Sequence, residues 1–314
     1  MASPQPSHVA AAPVGAQTRA EAIKARVFLV VLCIGWGVTW PMMSIALSEI
    51  PPFSMRVTGL VLGAITLTSL ARLQGISLRL PSWWTFAHLC AASLFNIVAF
   101  SIFTPFAQLH AETSRVAIVV YTMPIWATLL ALPILRERLT ATRALALVLC
   151  IAGMAVLIYP LARLRVPLGI LLAIGAAASW AAGTVYLKWA RLDCDPMAVA
   201  VWQVVIGFLV LGALLPAFEG SLQLAQAHIG PILALIFAGV VGSGISNFLW
   251  FDIVRRLPAT TASLGILSSP VIGVVSSMLM LGERPTFADV VGFALIFASS
   301  ACVLLRPQDA ERGP

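Results

Sequence analysis

Charge is scarce in this chain: Asp, Glu, Lys and Arg make up 10% of its 314 residues, against 60% hydrophobic. With a mean hydropathy of +0.99, there is too little polar surface to cover a soluble globule of this length, so the chain reads as a polytopic membrane protein. An excess of seven positive charges would suggest nucleic acid in a soluble protein. Here it must be sorted by loop, and sorting removes that partner. Cys33, Cys90, Cys150, Cys194 and Cys302 lack the Cys-x-x-Cys spacing of a zinc or redox site and read as small apolar groups. His88 and His110 stand alone, so neither a metal nor a cofactor is expected. Without a Walker A loop, a dinucleotide fingerprint or a G-x-S-x-G elbow, neither an ATP-driven pump nor a common hydrolase is indicated.

The most informative absence is that of an acid inside the apolar runs. Glu137 and Asp252 fall at run ends on one side, and Glu112, Glu283 and Asp289 at run ends on the other. A buried carboxylate is the usual basis of proton or sodium coupling, so the expectation is a facilitator, or an exporter coupled without a midplane acid. The same absence leaves an intramembrane enzyme without a catalytic acid or base.

What the chain does have is apolar runs of membrane-spanning length, about 20 residues each. Ten are expected, at 27–47, 53–71, 84–106, 113–135, 141–159, 168–188, 196–216, 229–251, 259–281 and 287–305. Residues 1–26 read as a disordered tail, 160–167 as a linker and 306–314 as a second tail. Of the 19 Lys and Arg, 14 lie on the side of the amino-terminal tail, three on the other and two, Arg56 and Arg115, inside spans. Positive charge concentrates on the cytoplasmic side, so both termini are expected there.

The stretch 113–158 returns in degenerate form at 259–304. At this offset of 146, Pro124 falls on Pro270, Glu137 on Glu283, Arg138 on Arg284 and Thr140 on Thr286. Gly35-Trp36-Gly37 matches Ser179-Trp180-Ala181 at an offset of 144. Matched prolines and charged turns within matched hydropathy indicate duplication. The fold class is therefore all-α, two five-helix repeats at 27–159 and 168–305. Five spans is an odd number, so the second repeat enters the membrane inverted, with a substrate site expected near the midplane between the halves and alternating access to it.

The repeated Glu-Arg turn, with Phe248-Leu249-Trp250 and the passage Leu257-Pro258-Ala259-Thr260-Thr261-Ala262, resembles the drug/metabolite transporter superfamily, more narrowly its ten-helix branch of two EamA domains. Within that branch the chain is similar to the YddG-type amino-acid exporters of bacterial inner membranes. The resemblance covers about residues 27–305. It implies a bacterial inner-membrane location, net flow outward, and a central cavity lined mainly by helices 1, 3, 4, 6, 8 and 9.

Candidate site residues follow from mid-span position. Ala117, Tyr121, Pro124 and Thr128 share one helix face, matched in the repeat by Ser263, Leu267, Pro270 and Val274. Pro124 and Pro270 each free a carbonyl, which in a membrane is tolerated beside a watery path, so both are placed as kink or gating residues. Trp36, Trp40, Trp180 and Tyr186 offer aromatic walls for an apolar side chain or an ammonium. Asn96, Ser243 and Asn247 offer hydrogen bonds to a zwitterion, whereas Gln203 reads as packing. Arg56 and Arg115 read as snorkelling to the interface, either able to attract a carboxylate. Glu137 and Glu283 read as turn residues starting helices 5 and 10 at a favourable dipole end. Gly59-x-x-x-Gly63 permits close helix approach, within the protein or between subunits, so the chain is expected as a monomer or weak homodimer.

The leading reading is an exporter of small neutral or aromatic amino acids and related metabolites, in contact with lipid and small-molecule substrate. The alternative is a carrier of a nucleobase, nucleotide-sugar or lipophilic drug.

Overall fold

The computed structural model describes residues 19–137, 139–162, 168–256 and 268–304. Among them every regular element is helical. The chain runs through α1 (Arg19–Leu47), α2 (Pro52–Leu73), α3 (Trp83–Ser93), a first π-helical turn (Leu94–Ala99) and α4 (Phe100–His110). It continues through α5 (Thr113–Val120), α6 (Met123–Ile134), α7 (Ala141–Ala162), α8 (Leu168–Ala190) and α9 (Pro196–Phe218). The last elements are α10 (Ile229–Phe237), a second π-helical turn (Ala238–Ile245), α11 (Ser246–Arg256), α12 (Ser268–Leu281) and α13 (Phe287–Leu304). Helix α1 begins ahead of the apolar run, so residues 19–26, placed in the tail from sequence, continue the helix.

Eight helical stretches, from Arg26–Leu47 to Ile229–Trp250, are long and apolar enough to cross a membrane; Ser268–Leu281 and Phe287–Cys302 are apolar but shorter. The start of the expected ninth span, at 259–267, lies outside the described residues.

Local chemistry sets the ends. Prolines at 52 and 196 open α2 and α9, where a missing N–H costs nothing. Ser82 caps α3 by accepting from the Thr85 N–H at 3.2 Å, and Asp195 caps α9 by accepting from the Met197 N–H at 2.8 Å. Other caps come from far along the chain. Glu219 accepts from the Phe53 and Ser54 N–H groups at 2.7 and 2.8 Å, closing the N-terminus of α2.

The packing is unchanged by exchanging the first half of the chain for the second. Helix α1 packs on α12, as α8 packs on α5 and α6; α2 packs on the second π turn, as α9 packs on the first; α7 pairs with α13, and α2 with α9. The seams complement one another in detail. A Cβ on Gly242 would meet the Thr39 hydroxyl at 2.5 Å, while one on Gly183 would collide with the Asn96 amide. Thr39 corresponds to Gly183 and Asn96 to Gly242 at the repeat offsets, so each half seats one side chain against one glycine with the roles reversed.

The two glycines of the Gly59-x-x-x-Gly63 pair serve an internal seam. A Cβ on Gly63 would lie 2.6 Å from Ser243 Cβ, and one on Gly239 would lie 2.9 Å from the Gly59 carbonyl. Gly239→Ala is therefore expected to lower stability by about 1–3 kcal/mol, because backbone must move to admit the methyl. Gly212→Ala, with nothing within 4 Å of the added atom, is the control. Thermal unfolding of the two purified variants checks this, and equal midpoints would refute it.

Candidate functional site

Helix-breaking chemistry builds the centre of the site. Pro124 cannot donate to the carbonyl four residues back, and the chain breaks into α5 and α6 at Tyr121-Thr122 rather than bending as one helix. The Thr122 N–H and hydroxyl both turn back to the Val119 carbonyl, at 3.1 and 2.6 Å. The Tyr121 carbonyl accepts from the Ser300 hydroxyl at 3.2 Å. The polar groups of Tyr121 and Thr122 at the break thus find partners, as a membrane interior demands.

The break aims Tyr121 across the molecule. Its hydroxyl lies 2.6 Å from Ser269 Oγ, one residue ahead of Pro270 in the first turn of α12. The break ahead of Pro124 and the Pro270 turn of α12 therefore meet at a Tyr–Ser hydrogen bond. The Trp40 ring lies 6.4 Å from that of Tyr121 at 57°. Gln108 donates to the Trp40 carbonyl at 3.0 Å, leaving its own Oε1 buried and unpartnered.

The remaining candidates fall into separate places. Trp36 donates to the Gly242 carbonyl at 3.2 Å and packs 6.1 Å from Trp250. Asn247 donates to the Ser243 carbonyl at 3.0 Å. Ser243 itself turns its Cβ toward Gly63 on α2, away from that group. Asn96 is buried and donates to Gln203 Oε1 at 3.4 Å; Asn96 Oδ1 and Gln203 Nε2 are left without partners. Tyr186 bonds His88 at 2.8 Å and stacks beside Trp189 at 5.6 Å. Trp180 is 36% exposed and makes no ring contact among the described residues. Ser263 lies outside the described residues.

Three ionic readings from sequence need correction. Arg115 does not snorkel: it makes a bidentate pair with Asp289, Nε and Nη2 lying 2.7 and 2.8 Å from the two carboxylate oxygens. Arg56 also turns inward, donating to Ser101 Oγ at 2.6 Å. Glu283 serves a helix dipole, but that of α5 rather than of its own helix, accepting from the Thr113 and Ser114 N–H groups at 2.6 and 2.9 Å. Its repeat counterpart Glu137 pairs with Lys188 at 2.7 Å and Arg143 at 3.0 Å. A cleft of about 590 Å³ opens beside it, lined by Arg136, Lys188, Trp189 and Arg191. Outside the spans, the His228 backbone N–H at 2.6 Å holds the Glu49 carboxyl below its ordinary range. Among the described residues no group of three or more His, Cys, Asp or Glu could hold a metal.

Tyr121 and Trp40 were legible from helical spacing. Ser269, Gln108 and Ser300 were not singled out, and Trp250 entered only as part of the resemblance; the proline beside Ser269 was the available signal for it.

Known proteins are similar to this chain in fold and sequence. A solved structure matches with a TM-score of 0.63 at 21% identity, covering 92% of this chain and 99% of the other. The "Uncharacterized transporter YoaV" of Bacillus subtilis is 23% identical over 278 residues, 87% of this chain and 94% of that protein. The "Probable terminal-alkyne amino-acid exporter" of Streptantibioticus cattleyicolor is 22% identical over 267 residues, 85% of this chain and 89% of that one. The family model for EamA-like transporters matches twice, at residues 23–159 and 167–305. Two copies of this unit account for the exchangeable packing of the halves, and the chain is a multi-pass membrane protein of the EamA-like transporter family, in the drug/metabolite transporter superfamily.

Proposed function

We propose that the chain is a secondary transporter that exports small neutral or aromatic amino acids and related metabolites across the bacterial inner membrane by alternating access. In this reading ten spans form two inverted five-helix repeats with both termini in the cytoplasm, and no midplane carboxylate couples flux to an ion. The observation that carries it is the contact between the break ahead of Pro124 and the Pro270 turn of α12, at Tyr121 and Ser269 beside Trp40. Broken helices at the interface of repeats are where such carriers hold substrate, and the groups there are aromatic and neutral. The kinship to an amino-acid exporter supports the substrate class. Trp36, Asn96, Trp180, Tyr186, Ser243 and Asn247, which lie apart from that contact, and Ser263 are proposed for the rest of the path, with Pro124 and Pro270 as gating hinges.

Efflux from proteoliposomes tests this with amino acids, nucleosides and cationic drugs at zero proton and sodium gradients. Saturable flux selective for amino acids is expected. No flux would count against the facilitator, and preference for another class against the substrate. Trp180→Ala and Asn96→Ala are each expected to weaken transport about 3–10-fold at unchanged expression, the loss of one aromatic or amide contact. Wild-type kinetics in both would remove them from the path.

A further inference from the structure

Arg56 sits one turn into α2 and is partly buried. Nη2 donates to Ser101 Oγ at 2.6 Å, Nη1 points at Met43 Sδ at 3.7 Å, and Nε is buried with no partner. No acid lies within ion-pair distance among the described residues. The acid nearest along the α2 cap, Glu219, directs its oxygens to the Phe53 and Ser54 N–H groups and the Ser54 hydroxyl. The other cation inside a span differs: Arg115 has Asp289.

A buried charge without a counter-charge is costly, and a span retains one where function requires it. The geometry specifies what is missing. Nε and Nη2 form the edge of the guanidinium that takes a carboxylate through two parallel hydrogen bonds. Here one of those donors is idle, and the other rests on a neutral hydroxyl that a carboxylate would displace.

The position is equally specific. Met43 lies one turn along α1 from Trp40, and Ser101 lies seven residues along α4 from Gln108, which bonds the Trp40 carbonyl. Arg56 on α2 therefore reaches α1 and α4 one turn of α1 away from Trp40, whose ring faces Tyr121. Beside the arginine, Phe53, Pro105, Phe106 and Leu211 line a small pocket that Arg56 shares.

We infer that Arg56 is the receptor for a carboxylate carried by the substrate. This rests on the transport reading and narrows it: the cargo bears a carboxylate, which disfavours nucleosides and cationic drugs. The aromatic pair then takes the side chain, and the guanidinium is neutralised only in the loaded state.

The test is counterflow of labelled L-phenylalanine into proteoliposomes holding the full chain, with L-phenylalanine, L-phenylalaninamide and 2-phenylethylamine as competitors. In the wild type the two probes without a carboxylate are expected to compete about 10–100-fold more weakly, the range for one charge-assisted contact. Arg56→Met is expected to weaken L-phenylalanine by the same factor and bring the three together. Equal competition in the wild type, or a gap surviving in Arg56→Met, overturns the inference. Should the Met variant not fold, Arg56→Lys carries the test, because a point charge in place of the fork must narrow the gap; an unchanged gap overturns it. If the wild type carries no L-phenylalanine, the amino-acid reading falls while Arg56 is read separately by thermal unfolding. Benzoate, compared with benzyl alcohol, should then raise the midpoint of the wild type but not of Arg56→Lys, and identical responses in the two proteins would overturn the inference.

Discussion

Arg115→Met is expected to destabilise the protein by about 3–5 kcal/mol, because it strands a buried carboxylate. The Asp289 side chain is 4% exposed and that of Arg115 16%, so water cannot replace the lost guanidinium. Thr286 would remain, donating its N–H at 2.8 Å and its hydroxyl at 2.7 Å to Asp289 Oδ2, but neither carries charge. The pair ties α5 of one repeat to α13 of the other, beside the Glu283 cap on α5, so the loss falls on the join between halves. Arg115→Met/Asp289→Leu is expected to recover most of it, since no buried charge is then orphaned. The other acid at Arg115, Glu112 at 3.2 Å, has a side chain 42% exposed and keeps its water. Thermal unfolding in detergent gives the ranking: wild type and double variant close together, the single variant well below. A single variant that melts with the wild type would show that the pair contributes nothing.

The second large effect concerns transport rather than folding. Tyr121→Ala is expected to lower flux of the preferred substrate about 10–100-fold, equivalent to roughly 1.4–2.7 kcal/mol. It removes the ring facing Trp40 and the hydroxyl bound to Ser269 together. Tyr121→Phe keeps the ring and should cost about 3–10-fold, the size of one neutral hydrogen bond. The graded series separates the two contributions. Flux in Tyr121→Ala equal to wild type, at matched reconstitution, would place the substrate path elsewhere.

Both variants sit on features of unequal legibility. The break that presents Tyr121 could be anticipated, because proline removes a donor wherever it stands and the same removal recurs at Pro270. That its hydroxyl finds Ser269 could not, since the two are 148 residues apart and serine is too common to mark a partner. Arg115 was misread for a related reason. A lone arginine near a span end has two solutions, snorkelling to the interface or pairing inward, and the choice depends on whether Asp289 lies within reach after folding. The π-helical turns at Leu94–Ala99 and Ala238–Ile245 had no signature in the residues. They recur at matching places in the two halves, where α8 and α1 press against them, so packing accounts for them better than propensity.

The amino-acid sequence by itself determined that this chain belongs in a membrane, that its helices form a repeated set, and that their ends carry the charge. Those properties follow from solvation and from local backbone chemistry, which act on each residue wherever its neighbours lie. Only the tertiary structure decided which helix each distant carboxylate caps, that Arg115 is paired while Arg56 is left without an acid, and which aromatic rings meet. Such pairings depend on distances set when all the helices are packed together, and no local pattern encodes them.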